Sequence, residues 1–220
     1  ITTVSGGRDG LYNCRLCRRQ FTVTVGTIFE GSHIPLSKWV QAFHLVSCSK
    51  KGISALQLQR MLNLGSYESA WHMAHRIRYV MRPPRGTPKL SQTVEVDETF
   101  VGGKQSRVNR RASRTNKTPV VAMVQRDGAA RATPAKRLSS VALLSTVQKH
   151  VGTDAQLMTD EWKAYSGLDR VYDGRESVNH TSREYVRGNV HTNTVESFFA
   201  LLKRGIVGSY HHVSRKHLSR

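Results

Sequence analysis

Acidic residues are scarce in this chain: 15 Asp and Glu stand against 34 Lys and Arg in 220 residues, a formal charge of +19, with a sequence pI near 10.6. Such a field repels cationic partners and attracts polyanions. Long apolar runs are missing as well. No stretch approaches the roughly 18 apolar residues of a membrane-spanning helix, and the N-terminus does not read as a signal peptide, so the expected location is the cytoplasm. Cysteine is limited to Cys14, Cys17 and Cys48, which excludes a disulfide framework. The C-x-x-C formed by Cys14 and Cys17 points instead to metal or redox chemistry in a reducing compartment. The hydrophobic fraction is low at 38%, yet it is spread along the length and suffices for a core, which excludes a disordered tail.

The positive charge is not confined to one tail. Residues 1–85 carry 12 basic and 3 acidic side chains (+9), and residues 86–220 carry 22 and 12 (+10). No helical pattern pairs a basic face with a wide apolar one, as a membrane-surface helix would, so nucleic acid is the expected partner. The chain opens at Ile1 and stops inside a helix-like stretch over 214–220. Both ends are expected to be cut.

Four regions follow from patterning. Residues 1–35 contain alternating polar and apolar groups after the C-x-x-C and are expected to form a short hairpin. Residues 36–82 are helical: one helix capped by Ser37 and carrying Trp39, Val40, Phe43, Leu45 and Val46, a second over 54–62, and a third over 66–81. The third has Ala70, Trp71, Ala74, Ile77 and Val80/Met81 on its apolar stripe. The join Asn63-Leu64-Gly65-Ser66 has the form of a helix-turn-helix, although an ordinary packed helical hairpin reads the same way. Cys48 is expected to be a small core residue. Residues 83–92 are rich in proline and glycine and form a linker. Over 93–220 strands alternate with helices in the order β-β-β-α-β-α-β-α: strands at 93–101, 119–125 and 129–134, a helix at 138–151 capped by Ser139 or Ser140, a strand at 155–159, a short helix at 161–167, a weak strand at 176–180 and a helix at 193–206. Hairpins followed by crossovers imply an α/β mixed sheet with helices on its faces.

In a chain so poor in acids, carboxylates in apolar elements need a reason. Asp97, with Glu95 and Glu98, lies in the first strand of this core, and Asp160, with Glu161, closes the apolar strand AQLM-T. If the first and fourth strands lie side by side, Asp97 and Asp160 converge, and Glu196, one turn into the last helix, approaches from the adjoining face. Three acids brought together repel one another unless cations sit between them. Magnesium suits such a set because it takes carboxylate and phosphate oxygens, and a metal pair assists in-line displacement at phosphorus. Taken singly, each acid also fits an N-cap, an edge charge or an ion pair with one of the many arginines.

Three segments, VEVDETFVGGK, LMTDEWKAY and HTNTVESFFALLKRGIVGSYHHVSRKHLSR, resemble the catalytic blocks of bacterial insertion-sequence transposases of the DDE, ribonuclease-H-like superfamily. Thirty-five residues separate Asp160 from Glu196, the spacing of the D,D-35-E pattern. YNCRLCRRQFTVTVGTIFEGSHIPLSKWV is similar to the second half of the zinc ribbon that marks one subgroup. The resemblance implies a ribonuclease-H-like fold, Mg²⁺ or Mn²⁺ dependence, cleavage at element ends, and joining of the freed 3′-hydroxyl to target DNA. It also implies terminal inverted repeats as substrate, a homo-oligomer on DNA, and a bacterial, nucleoid-associated location.

Carried over by position, Asp97, Asp160 and Glu196 match the three catalytic, metal-holding acids. Some relatives use asparagine at the third place, which keeps Asn193 open beside Glu196. Cys14 and Cys17 match two of four Zn²⁺ ligands, the others being expected upstream of Ile1. Lys203, two turns after Glu196, and Arg204 are placed to hold a DNA phosphate. Lys104, Arg107, Arg110, Arg111 and Arg114 form a basic stretch, expected to be disordered without DNA, that can track a phosphate backbone. His211 and His212 match the family's Y-H-H block; neither they nor His180 and His191 are assigned a catalytic role. Two other readings remain open. One is an inactive remnant or DNA-binding regulator. The other is a nuclease or recombinase of the same fold acting on hybrids or junctions.

Overall fold

The computed structural model describes residues 1–4, 10–84, 86–102, 117–172, 174–179, 182, 184 and 186–218. Two compact units are present, Ile1–Pro83 and Pro84–Arg220.

In the first unit, β1 (Thr2–Thr3), β2 (Leu11–Asn13) and β3 (Gln20–Thr22) make an antiparallel sheet in that order. The C-x-x-C lies in the turn between β2 and β3, so the hairpin straddles the cysteines rather than following them. Three helices follow: α1 (Leu36–Cys48), α2 (Ala55–Met61) and α3 (Tyr67–Val80). Ser54 and Ser66 cap α2 and α3 by accepting from Gln57 N and Ser69 N, satisfying donors that a helix start leaves open. Ser37 does not cap α1. That helix begins at Leu36 with Pro35 in the capping place, and proline has no side-chain acceptor to offer the first amides. Trp39, Leu58, Ala70, Met73, Ala74 and Ile77 bury together. Met73 joins the buried stripe, whereas Trp71, expected on it, is 42% exposed with its ring against His75. Cys48 is exposed at the end of α1, with Sγ 3.5 Å from His44 Nδ1, so it is not the core residue its apolar neighbours imply.

In the second unit, β4 (Thr93–Gly102), β5 (Lys117–Gln125), β6 (Ala130–Pro134), α4 (Ser140–His150), β7 (Gln156–Asp160), a 3₁₀ helix (Lys163–Arg170), β8 (Glu176–Val178) and α5 (Asn193–Gly205) follow in chain order. The sheet order is β6-β5-β4-β7-β8. β5 runs antiparallel to β4 and β6, whereas β7 is parallel to both β4 and β8. This is a mixed α/β fold whose central sheet is consistent with ribonuclease-H-like topology.

Both faces of the sheet are covered. Thr118–Val124 of β5 is buried at every position, the continuous apolar pattern of a strand with helices on either side. On one face Val94, Val96, Val121, Met123 and Leu157 pack with Leu143 and Val147 of α4 and with Tyr165 and Leu168 of the 3₁₀ helix. On the other, Ala122 and Val124 pack with Val195 and Phe199 of α5. Phe198 and Leu202 are partly buried there, while Leu201 is exposed. The segment after Asp160 is 3₁₀ rather than α-helical. A Cβ on Gly167 would sit 2.5 Å from Ser140 Oγ, so a larger residue there would require the Ser140 hydroxyl to rotate away.

Candidate active site

Residue alternation along β4 decides which acids meet. Odd positions share one side of the sheet and even positions the other. Val94 and Val96 enter the core on the α4 side, so Glu98 faces that way and accepts a short hydrogen bond from the hydroxyl of buried Tyr165. Glu95 and Asp97 face α5. Glu95 pairs in register with Met158 of β7, and two residues further along each strand come Asp97 and Asp160. Both therefore lie on the α5 face, just past the last hydrogen-bonded rung between β4 and β7. Open α/β sheets bind ligands at such carboxyl ends.

Local bonds fix each carboxylate. Asp97 Oδ1 accepts from Glu98 N at 2.7 Å, and Asp160 Oδ1 accepts from Trp162 N at 3.0 Å. Glu196 stands in the first turn of α5, exposed, with Oε1 3.2 Å from Thr192 Oγ1. Burial pushes the Asp97 carboxyl up to about 7, and the charges of Glu98, Asp160 and Glu196 push in the same direction. Glu98 is also raised, first by burial and then by the charge of Asp160. Burial first, and the neighbouring negative charges second, drive Asp97 toward neutrality; a hard cation with oxygen ligands relieves both, so the donor set fits Mg²⁺ or Mn²⁺ in chemistry. It is not drawn into a closed cage. Among the described residues no group of three His, Cys, Asp or Glu side chains stands close enough to hold a metal ion.

The other expected residues fall in several places. Lys203 and Arg204 are exposed in the last turn of α5, and Arg204 Nε donates to Ala200 O at 3.1 Å. The helix then passes into a single π turn, Ile206–Tyr210, next to His211 and His212. Lys104, Arg107, Arg110, Arg111 and Arg114, together with His180, lie outside the described residues. Cys14 is half-buried and Cys17 exposed; backbone hydrogen bonds from Cys17 and Leu16 hold the Cys14 thiol below its ordinary value. Among the described residues no further ligands complete a zinc site there.

Sequence reasoning passed over Glu95. It is fully buried and accepts from Thr194 N, Val195 N, Thr194 Oγ1 and Arg126 Nε, at 2.7, 3.0, 2.9 and 2.7 Å. Its signal was present: an acid between two valines of a central strand needs buried partners.

Residues 89–220 match the family described as the ISXO2-like transposase domain. An archaeal relative from Halobacterium salinarum, described as an uncharacterized protein in transposable element ISH50, is 30% identical over 210 residues, covering 88% of this chain and 69% of its own length.

Proposed function

The chain belongs to the ISXO2-like transposase domain family, and on that premise we propose that it cuts DNA at the ends of a mobile element and joins the freed ends to a target, acting as a homo-oligomer on DNA. The observation that carries the reading is the common face of Asp97 and Asp160 beside the start of α5, with the Asp97 carboxyl raised to about 7 in the company of Asp160 and Glu196. Asp97, Asp160 and Glu196 would hold divalent ions, with Asn193 the alternative to Glu196. Bound there, Mg²⁺ or Mn²⁺ would activate an attacking oxygen and stabilise the leaving one.

The protein's own groups supply the rest. A cation beside Asp97 would keep its carboxyl deprotonated. The apolar body of α5 keeps Glu196 against the sheet, and Lys203 and Arg204 bind phosphate along the same helix. Lys104, Arg107, Arg110, Arg111 and Arg114, a basic stretch of the sequence, would add further phosphate contacts. Cys14 and Cys17 supply half of a Zn²⁺ site that needs two further ligands, and α2 and α3 add a second DNA contact.

The test is cleavage and strand transfer on DNA carrying the element's terminal inverted repeats, with Mg²⁺, Mn²⁺ or EDTA. The expected result is nicking and joining only with a divalent ion. Tight binding without cleavage under every metal condition would favour a remnant or a regulator instead.

A separate expectation concerns affinity. Lys203→Ala should weaken DNA binding uniformly across sequences and reduce the slope of log affinity against log salt by about 1, read by fluorescence anisotropy between low and moderate salt. An unchanged slope would leave Lys203 a solvated surface charge.

A further inference from the structure

A helix start leaves its first amides without partners, and the residue just before the helix normally supplies the acceptor. Thr192 occupies that place before α5 and does not cap it; its hydroxyl instead donates to Glu196 Oε1 at 3.2 Å. The acceptor comes from the sheet. Glu95 Oε2 takes both Thr194 N at 2.7 Å and Val195 N at 3.0 Å, and Glu95 Oε1 takes the Thr194 hydroxyl at 2.9 Å. A carboxylate with no exposure also needs a cation, and Arg126, following β5, supplies one through Nε at 2.7 Å from Oε1. The same guanidinium donates to Asn189 O and Oδ1 at 2.8 and 2.7 Å and to His191 O at 3.1 Å. It thereby braces the approach to the helix. His191 Nδ1 stands 3.3 Å from Glu95 Oε1.

Consider what these bonds connect. Glu95 is two residues before Asp97 on the same side of β4, and Val195 is the residue before Glu196. The strand that carries the first acid and the helix that carries the third are thus joined within one or two residues of each, across a sequence separation of about 100. We infer that Glu95, with Arg126 as its counter-ion, is a positioning residue that sets the spacing between Asp97 and Glu196 for divalent-ion binding. The inference rests on the proposed active site, because it gives the spacing its purpose. It goes beyond that site in assigning a role to a carboxylate that touches neither ion nor DNA. Groups that orient metal ligands typically change metal affinity or activity about 10–100-fold when removed.

The experiment compares wild type, Glu95→Gln and Asp97→Ala in the full chain. Three quantities are measured: the unfolding midpoint in EDTA, the Mn²⁺ affinity from loss of the free-ion electron paramagnetic resonance signal well below every midpoint, and kcat and KM for DNA cleavage. Glutamine keeps the size of Glu95 but carries no charge for Arg126, and with its one oxygen on the two helix amides its NH2 group stands where Oε1 accepts from Arg126 Nε and the Thr194 hydroxyl. The expected result for Glu95→Gln is a lower midpoint, Mn²⁺ affinity weakened about 10–100-fold, and reduced kcat with KM for DNA unchanged. A lower midpoint with wild-type Mn²⁺ affinity and kcat would overturn the inference and leave Glu95 a structural brace. Asp97→Ala separates the two levels: if it too binds Mn²⁺ like wild type, the active-site reading has failed. If it loses Mn²⁺ while Glu95→Gln keeps it, only the positioning role has failed. Should Glu95→Gln not fold, Glu95→Asp takes its place with the same two outcomes, since it keeps the charge for Arg126 but draws the oxygens back from α5.

Discussion

Asp97→Ala and Asp160→Ala are each expected to reduce metal-dependent strand cleavage by on the order of 10⁴-fold, with DNA affinity retained, as when one member of a catalytic unit that acts together is removed. The two acids sit on one face of neighbouring parallel strands, so removing either leaves the other without its partner. Glu196→Ala should show a comparable loss and Asn193→Ala a much smaller one, because the Glu196 charge acts on the Asp97 carboxyl. The reverse ranking would transfer the third role to Asn193. Non-additivity supplies a second check. If the acids hold ions jointly, Asp97→Ala combined with Glu196→Ala should be hardly slower than either alone. Wild-type cleavage by Asp97→Ala would remove the triad from the account.

Much of the second unit was legible because its pattern is simple. Alternation in TVEVDETFV sets Glu95 and Asp97 on one side and Glu98 on the other, and the apolar run in β5 announces a strand covered on both faces. The order of hairpins and crossovers allows β4 and β7 to be neighbours, and the structure pairs them in parallel, which brings Asp160 beside Asp97. What sequence could not supply depends on contacts between distant residues. Nothing near Thr192 reveals that its helix is capped from β4, about 100 residues earlier, and Arg126 reads as an ordinary turn charge until Asn189 and His191 close on it. Trp71 and Cys48 failed for a related reason. Periodicity gives a helix an apolar stripe, but whether a residue at the stripe's edge is covered depends on what lies beside it. Met73 is covered on that stripe while Trp71 at its edge is not, and Cys48 fell at an uncovered helix end.

The raised carboxyl of Asp97 has a consequence for stability that is independent of catalysis. In the unfolded chain this group titrates near 3.8, whereas in the folded metal-free unit it titrates near 7. Between those values the folded state holds a proton that the unfolded state has released, so the Asp97 contribution to stability falls as pH rises from about 4 to 7 and then levels off. At about 1.4 kcal/mol per unit, the full effect has an upper limit of about 4 kcal/mol. The whole chain complicates a direct reading, because a formal charge of +19 makes acid destabilising through self-repulsion. Asp97→Asn isolates the term, since asparagine has similar shape and does not titrate. In EDTA the variant should gain stability over wild type as pH rises from 4 to 7, with a constant advantage above 7. Added Mg²⁺ should stabilise wild type strongly at pH 8 and little at pH 5, where the ion competes with the proton. It should leave Asp97→Asn nearly unaffected at both. Urea unfolding across this range, with EDTA or Mg²⁺, measures each quantity; a difference between the two proteins that does not vary with pH would mean that Asp97 titrates normally and that no cation is needed to keep it charged.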